Sequence, residues 1–256
     1  MNKYEKNATL HTKNKENTFE KKYGINLEIT KRFLDIDNEE TLLKKLAESI
    51  TQKTKRLGVG KNAEVFAIDY NHDELSELCV KKVSENPEIK INSIFEEAEF
   101  QAKAHDAGVR TPRYVMAIKD TDSRQEYILM ERIKGVSLGD ARDPYCELVM
   151  PDAYEHKVFF NNLKVMLDKM HDARIHHRDL HAGNVMVTEE GDPVIIDFGA
   201  ACMSHYSDND HPDIYRVQGQ VLVNKEKGLY QFTENVHQTD RKKLELLEIE
   251  MREYFG

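Results

Sequence analysis

Asp179, Asn184 and Asp197 are the residues whose types and spacing point most directly to chemistry. Asp179 and Asn184 stand five residues apart in His177-Arg178-Asp179-Leu180-His181-Ala182-Gly183-Asn184, and Asp197 follows thirteen residues later in Asp197-Phe198-Gly199. Between them lie two short β-like runs, Val185–Val187 and Val194–Ile196, joined by the turn Glu189-Glu190-Gly191-Asp192. A loop, a hairpin and a second loop can gather three polar side chains around one point. Phosphoryl transfer asks for such a set: a carboxylate beside an incoming hydroxyl, and oxygen ligands for Mg²⁺ on the phosphates.

These segments resemble the catalytic loop and metal-binding loop of the protein-kinase superfamily. Upstream features agree in order and distance. Gly58-Val59-Gly60-Lys61-Asn62-Ala63 resembles the glycine-rich loop, with Ala63 where a third Gly is usual. Glycines there let backbone N–H groups approach phosphates closely. Leu78-Cys79-Val80-Lys81 resembles the strand that carries the phosphate-holding lysine. Strand alternation places Cys79 and Lys81 on one face and the rival Lys82 on the other. The resemblance favours Lys81, with Val65 and Cys79 against adenine. It also implies a carboxylate partner for that lysine on the helix read over 94–107. Glu96, Glu97 and Glu99 compete for that role, and Glu97 is preferred on spacing. Ile128-Leu129-Met130-Glu131-Arg132-Ile133 resembles the strand and hinge between lobes, with Met130 as gatekeeper and the backbone of Glu131 and Ile133 on the adenine edge.

The resemblance implies an α+β, two-lobed kinase-like fold with a truncated helical C-lobe. Its cofactors would be ATP and Mg²⁺, with Asn184 and Asp197 holding the metal, Asp179 orienting and deprotonating a protein Ser or Thr hydroxyl, and Lys81 holding phosphates. The implied boundaries are a disordered tail over 1–22, a helical extension over 23–54, an N-lobe over 55–132 and a minimal C-lobe over 133–256. The truncation resembles the compact microbial kinases: the RIO and KEOPS-complex kinases and small bacterial effector kinases.

Two departures bear on substrate. His181 stands where many kinases carry Lys two residues after the catalytic Asp; it can hydrogen-bond a phosphate oxygen, supplying charge only when protonated, or merely pack in the loop. Few residues follow Gly199, and no Ala-Pro-Glu occurs among them. Asp240, at the start of the last predicted helix, either imitates the kinase aspartate that braces the catalytic loop or is an N-terminal helix charge. The segment after Gly199 is acidic, with Asp208, Asp210 and Asp213, so Arg178 can be paired without phosphate on Ser204, Tyr206 or Ser207. A small-molecule phosphotransferase of the aminoglycoside type, an ATP-binding regulatory subunit with slow turnover and a catalytically dead binding module are the rivals.

Other elements are read from periodicity. Asp37 and Glu40 form a capping box for a helix over 37–51, and Phe159, Leu163, Met166 and Met170 recur at helical spacing. Leu244, Leu247 and Met251 mark a helix over 240–254. A net charge of −9, with 39% hydrophobic and 32% charged residues, suits a globular chain and argues against binding nucleic acid through phosphates. Cys79, Cys146 and Cys202 are scattered and read as free thiols of a reducing compartment. The expected location is the cytoplasm, of the producing cell or of a host into which the protein is secreted. No apolar run is long enough to span a membrane.

Overall fold

The computed structural model describes residues 27–31, 56–59, 63–68, 78–83, 92–120, 125–203 and 236–256. The expected tail, the helix over 37–51, Gly60 with Lys61 and Asn62, and the acidic stretch with Ser204, Tyr206 and Ser207 lie outside them. The chain divides into two compact units, Met1–Ile89 with Tyr114–Arg132, and Lys90–Arg113 with Ile133–Gly256.

The first unit holds a six-stranded antiparallel sheet. Its strands are β1 (Leu27–Lys31), β2 (Arg56–Val59), β3 (Ala63–Ile68), β4 (Leu78–Val83), β5 (Tyr114–Asp120) and β6 (Glu126–Glu131). The order across the sheet is β1-β5-β6-β4-β3-β2. Strand β1 corrects the expectation of a purely helical extension over 23–54. Leu27-Glu28-Ile29-Thr30 alternates apolar and polar residues, the period of a strand, and the strand pairs with β5 from Leu27 opposite Asp120 to Lys31 opposite Met116. The central strands are the most apolar: Leu78, Val80, Met116, Ile118, Ile128 and Leu129 are almost wholly buried.

In the second unit, α1 (Ile94–Asp106) begins with a full capping box, in which the Ser93 hydroxyl accepts from the Glu96 amide and the Glu96 carboxylate accepts from the Ser93 amide. It ends before Gly108, whose φ of 81° is the left-handed conformation that stops a helix cheaply in glycine. After β7 (Gly135–Ser137) comes the short α2 (Leu138–Arg142), capped by Ser137, and then α3 (His156–Asp172). The predicted stripe of α3 is buried as expected, with Phe160 and Leu167 added. Each such side chain contributes roughly 1.5–3 kcal/mol by leaving water. Strands β8 (Ile175–His176), β9 (Val185–Thr188), β10 (Pro193–Ile195) and β11 (Cys202–Met203) follow.

The final helix, α4 (Val236–Phe255), buries Leu244, Leu247 and Met251 in the core that α3 also fills. Ion pairs Lys164–Glu248 at 2.7 Å and Arg241–Asp168 at 3.0 Å join it to α3, and Arg142 of α2 pairs with Glu250. Thus α4 is firmly seated, which matters for what it carries. No described helix is long and apolar enough to cross a membrane.

Candidate active site

The hairpin between the two predicted loops forms as read. Strands β9 and β10 pair with Val185 opposite Ile195, and the Ile196 amide donates to the Asn184 carbonyl at 3.0 Å. Gly191 makes the turn at φ 86°, where a Cβ would fall 2.3 Å from the Ala153 carbonyl oxygen. This pairing brings the ends of the two loops together, with Asn184 entering the hairpin and Asp197 leaving it.

The Asn184 side-chain nitrogen donates to the Asp179 carbonyl at 2.9 Å and faces its carboxylate at 3.4 Å. With its nitrogen so engaged, the Asn184 amide presents its oxygen as a ligand, and Asp197 offers a carboxylate. An oxygen-only donor set of this kind fits Mg²⁺. The Asp197 carboxylate also accepts from the Gly199 amide at 3.2 Å.

His177 ties the two loops to each other. It is fully buried; its Nδ1 accepts from the Asp179 amide at 3.3 Å, which assigns the ring proton to Nε2, and Nε2 donates to the Ile196 carbonyl at 3.0 Å. Its ring packs on Phe198 at 5.1 Å between centroids. Arg178 and Asp197 hold φ values of 66° and 64°. A left-handed non-glycine residue costs on the order of 1–2 kcal/mol, so the fold must hold both in place.

Asp240 supplies that hold on the Arg178 side. Its carboxylate is buried and accepts from the His177 amide at 2.9 Å, the Arg178 amide at 2.7 Å and His171 Nε2 at 3.1 Å. Burial works to raise its pKa, yet the His171 hydrogen bond and nearby His177 outweigh it and hold it below the ordinary value. The helix begins at Val236, so Asp240 lies one turn inside α4 and is no N-terminal helix charge.

Asp179 is solvent-accessible. His181 Nε2 lies 3.7 Å from its Oδ2 and does most to hold the carboxyl below its ordinary pKa, with burial opposing and Lys243 assisting. His181 Nδ1 accepts from the Gly183 amide at 3.0 Å, which also caps the short 3₁₀ turn Ala182–Asn184.

The three competing glutamates of α1 separate by environment. Glu96 belongs to the capping box, Glu99 pairs with Lys103 at 2.7 Å in solvent, and Glu97 is buried. A Cβ on Gly199 would lie 3.4 Å from the Glu97 carboxylate, so glycine admits this approach. Sequence reasoning missed Asn92, whose side-chain nitrogen donates to the carbonyls of Phe198 at 3.3 Å and Ala201 at 2.8 Å. Nothing local to Asn92 signals this, because its partners lie about a hundred residues away.

In the six-stranded sheet, Lys81 stands opposite Val65 on β3 and Ile128 on β6, and Cys79 stands opposite Ala67 and Met130. Residues directly opposite share a face, so Val65, Cys79, Lys81 and Met130 line one side and Lys82 the other. Lys81 is buried; Lys82 is half-buried. Cys79 donates through its thiol to the Glu131 carbonyl at 3.6 Å, and burial pushes its pKa up to about 12 against the pull of Arg132. Gly58 lies in β2 with open space where a Cβ would stand. Ile133 follows β6 in an irregular stretch before β7.

Residues 51–220 match the family model described as the protein kinase domain. The chain belongs to the protein kinase domain family. Within that family it is similar to the serine/threonine-protein kinase KIC1 of Saccharomyces cerevisiae, 28% identical over 60% of this chain and 14% of that protein. It is also similar to a probable bifunctional tRNA threonylcarbamoyladenosine biosynthesis protein of Methanosphaera stadtmanae, 24% identical over 75% of this chain and 35% of that protein. The EKC/KEOPS complex subunit BUD32 of Yarrowia lipolytica is 25% identical over 68% of this chain and 78% of that protein. The chain spans about a third or less of the length of the first two relatives.

Proposed function

We propose that this kinase-family chain transfers the γ-phosphate of ATP to Ser or Thr hydroxyls of a protein substrate. The observation that carries the reading is the Asp179 carboxylate held beside Asn184 in a loop whose backbone is gripped by the buried Asp240. Asp179 accepts the hydroxyl proton as the acceptor oxygen attacks the γ-phosphorus. Asn184 and Asp197 are the residues that would hold Mg²⁺, which neutralises charge on the phosphates when bound. Glu97 is the buried carboxylate of α1, and His181 orients Asp179. Val65, Cys79 and Met130 would face adenine and the backbone of Glu131 would meet its edge, roles that the resemblance extends to the backbone of Ile133 and, on the phosphates, to Gly58 and Gly60.

Similarity to a serine/threonine-protein kinase supports the protein-hydroxyl acceptor. The match across 78% of an EKC/KEOPS complex subunit favours a second reading, an ATP-binding subunit whose turnover is slow outside its complex. The purified chain should be incubated with γ-labelled ATP, Mg²⁺ and fractionated lysate. Label in discrete protein bands as acid-stable phosphoester is expected; label confined to small molecules contradicts a protein acceptor.

Lys81 is proposed to hold the α- and β-phosphates. Lys81→Ala should lower kcat/KM at least about 100-fold, and Lys82→Ala by no more than a few-fold, because the two lie on opposite faces. Equal losses, or the reverse order, would remove Lys81 from this role.

A further inference from the structure

Among the described residues, a cation from outside the loop also faces the candidate base. Lys243 stands on α4 one turn beyond Asp240. Its Nζ donates to the Arg178 carbonyl at 2.5 Å and lies 3.9 Å from Asp179 Oδ1. Asp240 grips the Arg178 peptide by its amide, and Lys243 grips the same residue by its carbonyl. Around the Asp179 carboxylate, His181 and Asn184 face Oδ2 while Lys243 faces Oδ1. The loop side chain two residues after Asp179 is thus an imidazole, charged only when protonated, whereas Lys243 brings an ammonium group from α4.

A carboxylate base beside a transferring phosphoryl group faces like charge. The transition state spreads negative charge over three equatorial oxygens, and a fixed cation at that point stabilises it without reorganising. An ammonium has three donors. The Arg178 carbonyl takes one and the Asp179 carboxylate faces the group, which leaves capacity for an anionic oxygen.

We propose that Lys243 is a catalytic residue of the phosphotransfer site, the fixed cation that α4 delivers to Asp179 and to the transferring phosphoryl group. This rests on the phosphotransfer reading above. In the step, the acceptor oxygen–phosphorus bond forms and the bond to the β–γ bridging oxygen breaks. ADP leaves with that electron pair, the hydroxyl proton passes to Asp179, and Lys243 keeps its protons throughout.

The test compares Lys243→Met and Lys243→Arg in the full chain. Lys243→Met should lower kcat about 100-fold while the KM for ATP stays within about threefold. Lys243→Arg should recover at least about a tenth of wild-type kcat, since it keeps the charge but not the ammonium geometry. A second readout needs no turnover: Lys243→Met should weaken binding of MgADP with aluminium fluoride, a mimic of the phosphoryl group in transit, about 100-fold, with MgADP alone unchanged. Lys243→Met with wild-type kcat, or equal binding of both probes in wild type and variant, overturns the role. Asp179→Asn separates the two readings. If it abolishes transfer while Lys243→Met does not, Lys243 alone is misassigned; a wild type that transfers no phosphate and gains no affinity from aluminium fluoride sinks both.

Discussion

Asp240→Ala should unfold the catalytic loop and lower the melting temperature by about 10 °C, from a cost of roughly 3–5 kcal/mol. The buried carboxylate accepts from two backbone amides and from His171, and its loss takes the acceptor from those donors. Each buried donor deprived of an acceptor costs roughly 1–3 kcal/mol. The effect reaches function because Arg178 is held at a positive φ by this bracing, and Asp179 is the next residue. Phosphotransfer should fall at least about 100-fold even well below the melting temperature. Asp240→Asn should recover little, since one acceptor oxygen becomes an amide group that confronts an N–H. The sign of the pH dependence follows from a depressed pKa. The contribution of this carboxylate is complete above the unfolded Asp value of about 4 and is lost as pH falls through its lower folded value. Asp240→Ala should therefore flatten the acid limb of the stability curve, as thermal melts from pH 7 downward would show. An unchanged melting temperature with full activity would remove Asp240 from the brace.

Much of the candidate site is written locally. Asp179, Asn184 and Asp197 flank one hairpin, so a turn and two apolar runs suffice to bring them together. The face of Lys81 follows from strand alternation alone. Other features depend on partners far along the chain. Asp240 is indistinguishable in sequence from an exposed helix charge, because its burial depends on His171, 69 residues earlier. Lys243 reads as one more cation on a polar helix face until its reach to Arg178 is seen. Helix α1, expected in the N-lobe over 55–132, is counted with the second unit, where Asn92 binds Phe198 and Ala201 and where Phe100 and Ala104 join the core. Strand β1 was hidden by a short alternation inside polar surroundings, and only pairing with β5 makes it a strand.

The most direct measurement follows γ-labelled ATP with Mg²⁺ in the wild type and in Asp179→Asn, side by side, with the protein acceptor present. Asparagine keeps the size of the side chain and an acceptor for Asn184 but cannot take the hydroxyl proton. Transfer to protein should fall about 10³-fold or more, while MgATP binding stays within a few-fold. Because His181 and Lys243 hold the Asp179 carboxyl below its ordinary value, wild-type kcat should show no acid limb from this group above about pH 4. Label on protein in the wild type, its loss in Asp179→Asn and intact nucleotide binding in both is the predicted result. Phosphotransfer within about tenfold of wild type in Asp179→Asn would contradict Asp179 as the base and, with it, this loop as the catalytic centre.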